Sequence, residues 1–128
     1  MKEITLNVIN KTKGKLPRLP FVDMKETILG KTYDLSIAFV TKKKSRELNA
    51  RYRGKDKPTN ILSFSLSKKS GEIIIHLPTV RRDAINFGKT FDTFLGFLVI
   101  HGMLHLKGYE HGGIMERAEE KFSKKFNF

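Results

Sequence analysis

The sequence predicts a single α+β domain over residues 1–128, with a small mixed β-sheet packed against a central histidine-bearing helix. Three observations lead there. Four segments carry strand patterning. Segments of helical period lie between and after them. One of these, residues 92–107, is apolar almost all round between its terminal charges and so belongs at the centre. No repeat, low-complexity tract or Pro/Gly-rich linker divides the chain, and a chain of 128 residues can bury a core without staples.

Each element has its own signal. Glu3 to Ile9 alternates, with Ile4, Leu6 and Val8 on one face, as a strand does. Pro17 and Pro20 interrupt the next segment, and a short helix is expected from Phe21 to Leu29, stopped by Gly30. Tyr33 to Val40 is a second strand with Leu35, Ile37 and Phe39 inward. Thr41 is placed to cap a short helix through Leu48 and Ala50. Residues 53–60, RGKDKPTN, read as a charged loop because Gly54 and Pro58 exclude regular structure. Ile61–Leu66 and Glu72–Leu77 read as strands joined by the turn 67–71, with Pro78 ending the second. Ser63 and Ser65 then mark an exposed strand face. Helices come next over Val80–Phe87 and Asp92–Lys107, the latter with Thr90 or Asp92 near its start and Gly108 at its end. The last helix, Ile114 to about Phe126, carries Ile114, Ala118, Phe122 and Phe126 on one stripe.

Composition narrows the partners. Twenty-five Lys and Arg against 13 acids give a net charge of +12, a field that favours nucleic acid or another polyanion. The plainer reading of that charge is a solvated basic surface. With no cysteine, a disulfide framework and a thiolate metal site are both excluded. The N-terminus lacks the apolar run of a signal peptide, and the longest uncharged stretch, Thr93–Leu106, is too short to span a bilayer. A soluble cytoplasmic protein with no membrane partner is expected.

Three of the four histidines fall in HGMLHLKGYEH, residues 101–111. His101 and His105 are four apart, so a helix places both rings on one face. Gly108 can end that helix in the left-handed conformation, and the returning chain brings His111 from a second direction. Three neutral imidazoles with an open fourth position form the ligand set of a hydrolytic zinc site, one ion per chain. Nickel, copper and other divalent transition metals also suit such ligands. Ordinary core packing explains one buried histidine readily; it explains three at this spacing on an otherwise apolar helix poorly. The spacing also matches the metzincin pattern H-E-x-x-H-x-x-G-x-x-H at each ligand and at the glycine. It departs at Gly102, where a metzincin peptidase carries its general-base glutamate. A zincin-like fold with other chemistry is expected. His76, alone after a strand, reads as structural.

HGMLHLKGYEHG resembles the signature of the YbeY family of bacterial metal-dependent endoribonucleases, HGxLHLxGYDH. LNARYRGKDKPTNILSFS, residues 48–65, resembles that family's LNxxYRxKDxPTDVLSF, and GEIII at 71–75 its GDI-type strand. The resemblance runs from about Val40 onward. It implies a zincin-like fold, zinc on His101, His105 and His111, and single-strand-specific RNA cleavage. The biological setting it implies is small-subunit ribosomal RNA 3′-end maturation and ribosome quality control, with ribosomal RNA and the small subunit as partners and no small-molecule cofactor. The family's functionally important arginine maps onto Arg53. Three positions depart from the pattern: Glu110 for Asp, Asn60 for Asp, and a short segment after His111.

The chemistry can be argued alongside. A metal with an open position lowers the pKa of bound water to about 7 or polarises a phosphoryl oxygen. Arg53 suits a phosphate because its planar fork donates two hydrogen bonds and can stabilise charge developing on the phosphodiester. Locally, Arg53 also reads as a surface cation or a structural partner of Asp56. Glu110 has several roles open to it: orienting water, acting as a base, holding a ligand histidine, or capping the Gly108 turn. Lys43, Lys44, Arg46, Arg51, Lys55 and Lys57 cluster before and within the loop as candidate RNA-phosphate contacts, with Arg81 and Arg82 on a later helix. Two other functions compete with the nuclease. One is a ribosome-associated assembly factor with a mainly structural metal; the other is a metallopeptidase, against which Gly102 stands.

Overall fold

The computed structural model describes residues 5–128, so Glu3 and Ile4 of the first expected strand lie outside the described residues. The chain forms β1 (Leu6–Asn10), α1 (Phe21–Ile28), β2 (Asp34–Phe39), α2 (Lys42–Arg53), β3 (Ile61–Ser67), β4 (Ser70–Ile75), α3 (Leu77–Asn86), α4 (Phe91–Lys107) and α5 (Gly113–Phe126). The sheet has the order β1-β2-β4-β3. β1 pairs with β2 and β2 with β4 in parallel, while β3 runs antiparallel to β4 along one edge.

Alternation in the strands makes two faces. Leu35, Ile37, Phe39, Ile73 and Ile75 point to one and are fully buried with α1, α3 and α4. Ala38, Val40, Leu62 and Ile74 point to the other and pack with Leu48 of α2 and Phe64. Helices therefore cover the first face, while the second is covered only in part and leaves an open apolar hollow lined by Ile9, Val40, Leu48, Tyr52, Phe64 and Ile74.

α4 is the central helix. Leu95, Val99, Ile100, Met103 and Leu104 are all fully buried, as expected for a helix without a polar stripe. Thr90 caps it by accepting from the Thr93 N–H at 3.2 Å. Gly108, at φ 106°, closes its C-terminus. Two glycines let other elements press close. A Cβ at Gly102 would stand 2.8 Å from Ser63 Oγ and 3.3 Å from Ile61 and Ile73, so the missing side chain is what lets α4 lie on the sheet. A Cβ at Gly71 would meet the Tyr33 hydroxyl at 2.5 Å.

Several boundaries differ from the sequence expectation. Gly71 serves β4 rather than the turn, which shrinks to Lys68 and Lys69. Pro78 sits in the first turn of α3, where its missing N–H costs nothing, so that helix starts at Leu77. Gly54 at φ 68° caps α2, which carries the helix through Arg53. Ser63 faces α4 rather than solvent. On α5 the buried positions are Met115 and Glu119, while Ile114 is 68% exposed. Among the described residues no helix is long and apolar enough to cross a membrane.

Candidate metal centre

The helical period of α4 sets His101 and His105 side by side, and the Gly108 turn brings His111 back to them. Their ring centroids lie 4.5, 4.7 and 5.3 Å apart. One ligand nitrogen from each falls within 4.8 Å of the others. His101 and His105 are half-buried and His111 is exposed, so the cluster opens to solvent on one side.

The hydrogen bonds fix which nitrogens are free. His105 Nδ1 lies 3.2 Å from the Tyr109 carbonyl oxygen, which can only accept, so Nδ1 carries the proton. His101 Nδ1 donates to Glu119 Oε2 at 3.1 Å. Both Nε2 atoms are then left with lone pairs, and they face each other at 3.0 Å. Two lone pairs in that geometry repel unless a cation lies between them. Burial, followed by the neighbouring His101, holds the His105 imidazole below its ordinary pKa and so favours the neutral form, the one able to bind a metal. The donor set therefore fits a divalent ion, with a carboxylate and a backbone carbonyl orienting two of the three imidazoles.

Glu119, bonded to His101, is the residue of this cluster that the sequence reading does not single out. The residue is 8% exposed on a helix whose other acids face water. The signal is present: Met115, Glu119, Phe122 and Phe126 share one face of α5, and of the expected stripe Ala118, Phe122 and Phe126 pack on the core while Ile114 faces water. Glu110 is exposed on the turn before His111, without a side-chain hydrogen bond among the described residues. His76 is buried and bonded through Nδ1 to Thr79 Oγ1 at 2.7 Å, a structural histidine.

Arg53 ends α2, exposed, with Nη1 donating to Thr59 Oγ1 at 3.3 Å. Its loop is pinned back onto α2. Ser45 Oγ donates to the Thr59 carbonyl and accepts from the Thr59 N–H, both at 2.9 Å, and Asn49 Nδ2 donates to the Lys57 carbonyl at 2.8 Å. Asp56 pairs with Arg46 rather than Arg53, at 2.6 and 3.0 Å. Lys43, Lys44, Arg51, Lys55 and Lys57 are exposed on α2 and the loop. No described contact joins Arg53 to the histidines. Both nevertheless flank one edge strand: Thr59 leads into β3, and Gly102, next to His101, abuts Ile61 and Ser63 of β3.

The model of the family described as endoribonuclease YbeY matches residues 10–127. The chain belongs to the YbeY family. A YbeY protein from Halalkalibacterium halodurans is 39% identical over 106 residues, covering 70% of this chain and 65% of that relative's length. One from Bacillus thuringiensis is 32% identical over 136 residues, covering 94% and 81%. The solution structure of TM1509 from Thermotoga maritima superposes with a TM-score of 0.64 at 27% identity, covering 94% of this chain and 88% of that one. The YbeY match spans the three histidines, Glu119 and the Arg53 loop alike.

Proposed function

We propose that this protein is a zinc-dependent, single-strand-specific endoribonuclease of the cytoplasm, acting in 3′-end maturation of small-subunit ribosomal RNA and in ribosome quality control. The observation that carries this reading is the pair of Nε2 lone pairs converging at 3.0 Å beside His111, in a chain of the YbeY family. Relatives of this family bear the name endoribonuclease.

An ion held by His101, His105 and His111 supplies, when bound, a Lewis acid for a phosphoryl oxygen and a water of pKa about 7. The chain's own residues supply the rest. Glu119 and the Tyr109 carbonyl hold the His101 and His105 rings in the tautomer that presents Nε2. Arg53 donates to the non-bridging oxygens of the scissile phosphate and takes up the charge that develops there. Glu110, on the exposed turn beside His111, accepts or returns the proton on the solvent side. Lys43, Lys44, Arg46, Arg51, Lys55 and Lys57 hold flanking phosphates without reading sequence. Arg46 does so with two of its donors already spent on Asp56.

The test is cleavage of a single-stranded RNA by metal-loaded protein beside Arg53→Ala purified identically. The wild type cuts and the variant, holding equal metal, loses most of the activity. Equal activity in both preparations moves cleavage away from this site and favours an assembly factor with a structural metal.

A further inference from the structure

Between the end of α2, the 54–60 loop and α3 lies a polar cleft of about 280 Å³. Arg53, Lys55, Lys57 and Arg82 line it, with Asp83 the one carboxylate among them. Asp83 is already engaged: Oδ2 accepts from Asn60 Nδ2 at 3.0 Å, and Oδ1 accepts from Arg82 at 3.3 Å. Four cations thus surround a small cavity whose single negative charge is committed. The floor is firm, because the buried Ser45 and Asn49 fasten the loop to α2 from beneath. Basic side chains on an ordinary solvated face spread apart to lower their repulsion. Here three separate segments bring them around one concavity, an arrangement that repels itself until an anion enters. The cleft also has a direction, since Thr59 and Asn60 in its wall run straight into edge strand β3, and β3 leads to Gly102 and the histidines.

We propose that this cleft is a backbone phosphate subsite for single-stranded RNA, with Arg82 of α3 and Lys57 of the loop as its phosphate contacts. The strand enters at this cleft and follows β3 toward the metal centre. The proposal rests on the ribonuclease reading for its ligand and adds to it a residue, a cavity and a path. Arg82 is suited to the role because its side chain is 68% exposed and its pairing with Asp83 is long, leaving donors free for a phosphate.

The experiment is fluorescence anisotropy with a 2′-O-methyl single-stranded oligonucleotide, which resists cleavage at the sugar, over a salt series. The full chain is compared with Arg82→Ala, Lys57→Ala and, as an equal charge loss elsewhere, Lys125→Ala on exposed α5. Arg82→Ala and Lys57→Ala each weaken binding about tenfold at low salt and shallow the log–log salt slope by roughly 0.7, as loss of one single-strand phosphate contact requires. Lys125→Ala leaves the slope in place. If Arg82→Ala behaves like Lys125→Ala, the subsite is wrong. A mononucleotide titrated in parallel must bind far more weakly; equal affinity assigns the cleft to a small phosphorylated molecule and overturns the backbone proposal. The two readings separate cleanly. Wild type that binds through Arg82 but never cuts RNA keeps the subsite and removes the nuclease, whereas cutting with no effect of Arg82→Ala on binding removes the subsite alone.

Discussion

Removing Glu119 tests the metal centre at the point where the structure adds most to the sequence. Glu119 is 8% exposed, and its carboxylate accepts from His101 Nδ1 at 3.1 Å. A hydrogen bond to a charged partner contributes about 1.5–3 kcal/mol net. If that contribution is felt in the ligand's orientation and basicity, zinc affinity falls by roughly 10- to 150-fold in Glu119→Ala, at about 1.4 kcal/mol per decade. Carboxylates behind ligand histidines in other metal sites have effects of about 10–100-fold, which agrees. Glu119→Gln keeps the volume and a carbonyl acceptor but not the charge, so its loss stays near the lower end, about tenfold. The assay is competition with a chromogenic chelator at fixed pH, with urea denaturation of the metal-free proteins alongside. The denaturation curves separate a loosened α4–α5 contact from a weakened ligand. Glu119→Ala binding zinc within twofold of wild type would refute the claim that this carboxylate orients His101.

Two further outcomes concern the packing of α4 and the buried histidine outside the centre. Gly102→Glu, which restores the metzincin sequence, forces a side chain into space held by Ser63, Ile61 and Ile73. It should destabilise the fold by roughly 3 kcal/mol without creating peptidase activity, and a denaturation midpoint like that of wild type would contradict the close packing of α4 on β3. His76 is held below its ordinary value near 6.5 by burial first and then by Lys42 and Arg82. The unfolded chain takes up that proton more readily than the folded one. Stability is therefore full above about pH 6.5 and declines as the pH falls below it, and His76→Asn flattens this decline. Parallel denaturation at pH 7.5 and 5.5 checks it; an unchanged pH dependence in the variant assigns the acid sensitivity elsewhere.

The sequence disclosed what short-range patterns encode. Alternation in Leu35–Ile37–Phe39 marked the buried face of β2, and the four-residue spacing of His101 and His105 marked one side of α4. The absence of a polar stripe placed α4 at the centre. Three-dimensional facts were less accessible. Whether Ser63 meets water or a helix depends on what lies over β3, and that is decided by a glycine some forty positions away. Arg46 and Arg53 compete for Asp56 on equal sequence terms. The choice falls to Arg46 because the loop is folded back by Ser45 and Asn49, both buried polar residues that carry no obvious signal. Glu119 is hidden because an apolar stripe drawn from Ile114 passes over Met115, the inward residue one turn before it, even though Ala118, Phe122 and Phe126 of that stripe do pack on the core.

The sheet order has a consequence for how the chain acquires its structure. Only β3 and β4 are joined by a tight turn; the parallel pairings β1–β2 and β2–β4 must each wait for a crossover to be laid down. The face formed by Leu35, Ile37, Phe39, Ile73 and Ile75 is closed chiefly by α4, whose first residue is Phe91. During synthesis, then, more than two-thirds of the described chain has emerged before α4 completes the cover that α1 and α3 begin. All the histidine donors and their supporting glutamate come later still, within residues 101–119. Such a nascent chain is exposed to misassociation until its final two helices appear, and slow translation just ahead of α4 prolongs that window.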